Sequence, residues 1–502
     1  MLTRSNLGLV IGLFLFLTIL LLPVPDQVRP EAMRVLAAAA LMATWWITEA
    51  IPIPATALLP IFLFPALGVM SGSEVTQPYA DHLIYLFLGG FLIAVTIEKW
   101  GLHRRIALRT IKIIGVTPNR IVLGFMLASA GLSMWISNTA ATLMMLTIGL
   151  AVLKQVVREI DSDPNLHIDT RPEKFRFGIA LMLGIGYAAS IGGVATLIGT
   201  PPNAILAGII ERQFGQSISF FEWMLFALPL SSVMLLATWY YLTHLAYPSE
   251  INDLPGGMRT VDRELADLGA MSRQEISVLI VFISVAALWI GRGIIETDKF
   301  ALVTDSTIAM AGALLLFIIP ADFKNREFLL DWKTATNIPW DILILFGGGF
   351  ALAKGFIDSG LTQAIADQLS VLQGTDPVVI IVVVTAVVIV LTEITSNTAT
   401  ASMMLPIIAA LAIAMSIHPY SVMIAVALAA SFAFMLPVAT PPNAIVFSSR
   451  YVSIRQMARA GIWINVMGVV LISLFIVLYL PRIWGIDIHT LPIDLLPKLN
   501  NS

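Results

Sequence analysis

Two triplets of neutral, hydrogen-bonding side chains stand near the middle of long apolar runs: Ser137-Asn138-Thr139 and Ser396-Asn397-Thr398. Each offers two hydroxyls and an amide, groups that both donate and accept. Donated protons suit a carboxylate, and the same oxygens suit a hard cation such as Na+. A plain N-cap for a following helix is the other use of such a triplet, and it explains one copy better than a matched pair. A second motif, Thr200-Pro201-Pro202-Asn203-Ala204-Ile205, recurs unchanged as Thr440-Pro441-Pro442-Asn443-Ala444-Ile445. Consecutive prolines remove two backbone donors and cannot continue a helical ladder. Each run must therefore be two half-helices joined by irregular backbone, which survives in a bilayer only when buried in protein or lining a wet cavity. Its freed carbonyls make cation ligands, and a restarted half-helix offers its N-terminus to an anion.

The groups that are missing matter equally. No Lys, Arg or His lies centrally in any motif, and the six histidines, at 82, 103, 167, 244, 418 and 489, fall in loops or at span ends. A dianion held there without a fixed cation is costly in a low dielectric, so bound Na+ is the simplest countercharge. Glu49, Glu98, Asp341 and Asp358 fall near span ends and read as positional. Glu393, three residues before the second triplet, reads either as a functional intramembrane carboxylate or as a structural hydrogen-bonding group. An intramembrane enzyme is disfavoured, because HExxH is absent and Gly131-Leu132-Ser133-Met134 is not a serine-protease loop. Cysteine chemistry is excluded outright, since the chain has none.

The elements that carry these residues are membrane helices. Of 502 residues 58% are hydrophobic and only 12% charged, with a mean hydropathy of +0.88, against roughly 25% charged in a soluble domain. That rules out a cytosolic enzyme or a nucleic-acid binder. Leu7 to Leu22 resembles a signal peptide but is followed by Pro23-Val24-Pro25-Asp26 rather than a cleavage site, so it reads as a span. At about 20 residues per crossing, spans fall near 7–23, 33–50, 54–70, 83–100, 177–209, 222–246, 273–291, 302–320, 339–358, 420–447 and 460–480. The runs 121–153 and 378–417 are too long for one crossing and carry the triplets at mid-run, which predicts two re-entrant hairpins whose tips meet at mid-membrane. If the N-terminus is cytoplasmic and the hairpins add no crossing, 21 of the 29 Lys and Arg lie inside. The expected topology is N-terminus in, C-terminus out. Arg104, Arg105, Arg109 and Lys112 share one helical face over 102–116, which suits an interfacial helix as well as a basic loop. The stretch 247–273 reads as a polar linker with a Gly256-Gly257 turn.

The motifs recur in order. Gly89-Gly90-Phe91 returns as Gly348-Gly349-Phe350, 259 positions later, and at that offset Ser133–Ile148 matches Thr392–Ile407 at 8 of 16 positions. The proline motif recurs at an offset of 240. Five crossings separate the hairpins, and an odd number turns the second half upside down. Inverted repeats with broken helices build secondary transporters, with the site at the repeat interface near the midplane. The expected fold is an all-α polytopic membrane protein with about 11 transmembrane helices, two re-entrant hairpins and two proline-broken helices. A channel, the other transport class, needs no such pair around a closed site.

At these residues the chain resembles the divalent anion:sodium symporter family of the INDY type. The resemblance runs from the Gly-Gly-Phe pair to the last span and is sharpest at Ala430-Ser431, Phe434, Pro437-Val438-Ala439 and Asn443-Ala444-Ile445-Val446. It implies a homodimer in the cell membrane, working by an elevator movement and using no organic cofactor. The scaffold would be 1–116, with the interfacial helix 102–116, plus 273–372. The transport domain would be 117–250, with hairpin 119–154, broken helix 177–209 and helix 222–246. Its second part would be 373–482, with hairpin 377–417, broken helix 420–447 and helix 460–480. A cytoplasmic linker, 251–272, and an extracytoplasmic tail, 483–502, complete the chain. At least two Na+ sites are implied: Ser133, Ser137, Asn138 and Gly199 for one, Thr392, Thr395, Asn397 and Ala439 for the other. Substrate would meet Ser137, Asn138, Thr139, Ser396, Asn397 and Thr398, with Thr200, Pro201, Thr440 and Pro441 around it. The implied activity is Na+-coupled symport of C4-dicarboxylates such as succinate, malate or fumarate; dicarboxylate exchange and Na+-coupled sulfate or citrate transport use the same layout.

Overall fold

Prolines open the elements that matter most. Pro118 and Pro377 begin the leading hairpin arms, Pro118–Ser133 and Pro377–Thr392, where the missing N–H is one that a helix leaves unpaired anyway. Pro201 and Pro441 begin the restarted half-helices Pro201–Phe214 and Pro441–Ser448 in the same way. A computed structural model describes residues 4–26, 28–115, 117–162, 168–251, 257–294, 302–322, 324–492 and 495. Among them nine helices are long and apolar enough to cross a membrane. The one sheet among the described residues is a two-stranded ribbon, Pro320–Asp322 with Glu327–Phe328. This is an all-α polytopic membrane protein.

The repeat extends well beyond its motifs. The Gly-Gly-Phe helices, His82–Lys99 and Trp340–Asp358, are each followed by a left-handed glycine, Gly101 (φ 72°) and Gly360 (φ 79°). Each glycine turns the chain into a short amphipathic helix, Leu102–Ile114 and Leu361–Leu369. The segment Leu361–Leu372 meets the arm Pro377–Thr392 at 116°, so it runs across the hairpin. Ahead of the Gly-Gly-Phe helices stand two short apolar helices, Ile53–Ala66 and Asp305–Ile318. A Cβ on Gly89 would lie 2.6 Å from the Ala309 backbone, and one on Gly348 would lie 2.4 Å from the Ala57 carbonyl oxygen. The first glycine of each motif therefore lets its helix press on the short helix of the opposite half. Among the described residues, five apolar helical segments separate the hairpins, beside shorter polar and amphipathic helices: Arg176–Gly193 with Pro201–Phe214, Phe220–Ala246, Arg273–Ile294, Asp305–Ile318 and Trp340–Asp358.

Several boundaries differ from the expected ones, each for a local reason. The span expected over 54–70 is two short pieces, Ile53–Ala57 and Leu59–Ala66. Pro52 caps and Pro54 opens the first piece, Pro60 restarts the second and Pro65 lies inside it, and at 1.5 Å per residue the whole is about 20 Å long. The first hairpin, expected over 119–154, runs from Pro118 to Ser162, because the returning arm continues as a polar helix past Lys154. The polar linker 251–272 contains a helix, Gly257–Asp267. Met258, Val261, Leu265 and Leu268 form its apolar stripe, and it packs on the arm Asn138–Ser162 and on Leu102–Ile114. High charge hid that stripe in the sequence. Gly256, His167 and most of the tail beyond 492 lie outside the described residues.

The basic segment 102–116 is a helix over Leu102–Ile114, but its charges are not all presented outward. Arg105 is buried and pairs with the buried Glu275 at 2.7 Å, while also donating to the carbonyls of Leu268, Gly269 and Ala270. Arg104 and Lys112 pair with Glu264 and Asp262 of the linker helix. The basic face is thus partly neutralised by protein.

Candidate functional site

Both triplets sit where a hairpin turns. In the first, the leading arm ends at Ser133 and the returning arm, Asn138–Ser162, begins within the triplet. Ser137 Oγ accepts from the Ala140 N–H at 3.1 Å, so this serine does cap its arm. Ser396, its counterpart ahead of Asn397–Ala414, makes no capping bond. Capping therefore explains one copy and not the other.

The last residue of each leading arm reaches across the turn to the triplet's asparagine. The Ser133 hydroxyl donates to Asn138 Oδ1. The Thr392 hydroxyl lies 2.8 Å from both Asn397 Oδ1 and the Ala430 carbonyl oxygen, one proton between two acceptors. Ser133 and Thr392 are fully buried behind the tips, at identical five-residue spacing.

The broken helices approach the tips from the other side. Arg176–Gly193 restarts at Pro201, and Pro419–Ala430 restarts at Pro441. The motif asparagines hold the intervening backbone. Asn203 Nδ2 donates to the carbonyls of Val194 and Thr196 at 3.1 and 2.8 Å, and Asn443 Nδ2 donates to those of Ala433 and Leu436, both at 3.0 Å. Both side chains are fully buried. Their repetition was the signal that could have revealed this role in the sequence. Thr200 and Ser431 meet at 3.2 Å, joining the two junctions.

Glu393 resolves to its structural alternative. Its carboxylate accepts from the backbone N–H groups of Phe434, Met435 and Leu436 at 2.7 to 3.1 Å and from Asn465 Nδ2 at 2.7 Å. It satisfies the donors that the second junction frees, each of which would cost roughly 1–3 kcal/mol if left unpaired. The first junction uses a neutral device. Thr196 Oγ1 donates to the Met134 carbonyl at 2.6 Å and accepts from the Gly199 N–H at 3.1 Å.

These parts enclose a cavity of about 700 Å3. Its lining includes Ser137, Asn138 and Thr139 from one tip, Thr395, Ser396, Asn397 and Thr398 from the other, and Gly199, Thr200, Pro201, Ala439, Thr440 and Pro441 from the junctions. Ser133 and Thr392 do not reach it. Beside the first tip, a Cβ on Gly193 would stand 2.7 Å from Asn138 Oδ1 and 3.0 Å from the Gly199 carbonyl oxygen. The Asn138 amide, whose Nδ2 would lie 3.1 Å from the same Cβ, and the Gly199 carbonyl thus border a space that an added methyl would crowd. The oxygen types at both tips, hydroxyl, amide and main-chain carbonyl, fit an alkali cation.

Two charged residues belong to this lining although the motifs hold none. Arg4 and Glu49, from the ends of Arg4–Leu21 and Pro30–Thr48, both face the cavity. This corrects the expectation that no fixed cation lies near the triplets and that Glu49 is merely positional. Nothing in local sequence connects residue 4 to a motif more than 130 positions away. Phe91 of the first Gly-Gly-Phe also lines the cavity, whereas its counterpart Phe350 packs against Gly208 and under the Arg212 guanidinium.

Comparison with known proteins agrees with this architecture. Residues 3–486 match the model of the sodium:sulfate symporter transmembrane region. The chain is 46% identical over 492 residues to a protein of Staphylococcus saprophyticus named sodium-dependent dicarboxylate transporter SdcS, covering 97% of this chain and 93% of that one. A Staphylococcus aureus protein of the same name is 46% identical over 488 residues, covering 96% and 92%. Among solved structures, the YdaH transporter of Alcanivorax borkumensis superposes with a TM-score of 0.57 at 11% identity, covering 89% of this chain and 99% of that one; that likeness is one of fold.

Proposed function

The chain belongs to the sodium:sulfate symporter family and is a secondary transporter, not an enzyme, and from that premise we propose that it moves C4-dicarboxylates by Na+-coupled symport. The single observation that carries this reading is the convergence of both Ser-Asn-Thr tips, 259 positions apart, on one cavity. The hydroxyl and amide protons of Ser137, Asn138 and Thr139 bind one carboxylate, and those of Ser396, Asn397 and Thr398 bind the other. Thr200, Pro201, Thr440 and Pro441 shape the space between them. One Na+ is held by Ser133, Ser137, Asn138 and the Gly199 carbonyl. A second is held by Thr392, Asn397 and the carbonyls of Thr395 and Ala439. At an effective dielectric of 20, each ion about 4 Å from a carboxylate attracts it by about 4 kcal/mol, which offsets the cost of bringing a dianion to mid-membrane. Relatives named sodium-dependent dicarboxylate transporters support both the substrate class and the ion.

On this reading 117–250 and 373–482 form a transport domain that slides as an elevator past a scaffold of 1–116 and 273–372, and the protein is a cell-membrane homodimer with its N-terminus in the cytoplasm. The test is uptake of labelled succinate into proteoliposomes, with an inward Na+ gradient against K+, in empty and succinate-loaded vesicles. Concentrative uptake into empty vesicles only with Na+ is the expected result. Uptake that requires internal dicarboxylate means exchange instead. Transport of sulfate or citrate but not succinate overturns the substrate.

A further inference from the structure

The two repeats build a pseudo-symmetric site, yet Arg4–Leu21 has no counterpart among the described residues of the second half. Pro30–Thr48, which packs against it, precedes the short helix Ile53–Ala66 as Arg273–Ile294 precedes Asp305–Ile318. Arg4 stands at the start of the unpaired helix. Its guanidinium donates to the Ile47 carbonyl at 2.5 Å and to the Ile394 carbonyl at 2.9 Å. Ile394 directly precedes Thr395, so the first bond reaches the end of a neighbouring helix and the second reaches the tip of the second hairpin. A guanidinium has five N–H donors; both carbonyl bonds use one terminal nitrogen, so the other two nitrogens keep their donors, and Arg4 lines the cavity. Among the described residues no carboxylate lies within ion-pair distance of Arg4; Glu49 shares the lining without pairing to it.

We propose that Arg4 is a specificity-determining residue of the substrate site, a fixed cation that draws a dianion to the second tip. This rests on the reading above that the cavity takes a dicarboxylate. Guanidinium–carboxylate attraction is charge-assisted and forked, so Arg4 adds affinity for doubly charged substrate without being an Na+ ligand. It also gives a duplicated site an electrical asymmetry, because the first tip has no such partner among the described residues. Glu49 opposes it.

The test is succinate binding to the purified full-length protein in saturating Na+, at low and high choline chloride, for the wild type, R4Q, R4K and E49Q. Na+ binding without succinate is measured alongside as the check on fold and ion sites. The expected result is a succinate Kd about tenfold weaker in R4Q, partial recovery in R4K, and tighter binding in E49Q. The Na+ affinity stays within twofold, and the salt dependence of succinate binding is shallower in R4Q than in the wild type. An unchanged succinate Kd in R4Q overturns the inference alone. Parallel loss of Na+ and succinate binding in R4Q and R4K would show a structural bond to the hairpin tip, which also overturns it. Failure of the wild type to bind succinate overturns the dicarboxylate reading, and this inference with it.

Discussion

At the scale of single residues, the first proposed ion site depends on a side chain that is not there. Gly193 leaves open the space that Asn138 Oδ1 and the Gly199 carbonyl both border. Gly199 is itself constrained, since a Cβ on it would lie 2.3 Å from the Gly193 carbonyl oxygen. The second junction has alanines at the corresponding positions, 433 and 439, and needs no such approach. Gly193→Ala therefore fills the space and pushes the Asn138 amide away from the Gly199 carbonyl. Its Na+ concentration for half-maximal uptake should rise at least tenfold, as should that of Asn397→Ala at the other tip, with both proteins eluting as folded species. Wild-type Na+ dependence in either variant would remove the residue from the ion site.

At the scale of elements, each half solves one problem, how to interrupt a helix in the membrane without orphaning its backbone. The motif asparagine does the same work in both, but the freed N–H groups are met by Thr196 in one half and by Glu393 in the other. The hairpins must also enter from opposite faces if five crossings separate them. Single cysteines at Arg158, on the returning arm of the first hairpin, and at Val371, just ahead of the second, test this against a cysteine-free background. Both side chains are exposed. A membrane-impermeant maleimide added outside intact cells should label V371C and leave R158C unlabelled until the cells are opened. Labelling of both from one face would contradict the inversion. The match between Ile53–Ala66 and Asp305–Ile318, and the second amphipathic helix Leu361–Leu369, were hidden in the sequence because geometry has been kept there while residues have drifted.

At the scale of the whole molecule, ion pairs cross the boundary between the proposed scaffold and the proposed transport domain. Asp81, which caps the Gly-Gly-Phe helix His82–Lys99, is bonded to Arg212 near the end of Pro201–Phe214, and His82 lies 3.5 Å from Glu211. Bridging D81C to R212C with a reducible bis-thiol reagent should stop succinate uptake, and reduction should restore it. Undiminished uptake while bridged would rule out sliding at this contact. The sequence by itself determined the membrane class, the inverted duplication, the hairpins and the breaks in the helices, because apolar length, proline chemistry and internal repetition are local, countable properties. It also named the residues of both tips and both junctions, since duplication preserved them in register. Tertiary structure alone decided that Arg4 and Glu49 line the cavity, that Glu393 serves the backbone, that Arg105 is buried, and that Gly193 lies against the Asn138 amide and the Gly199 carbonyl. Each of these depends on which distant backbone lies within a few ångströms, and neither periodicity nor spacing along the chain carries that distance.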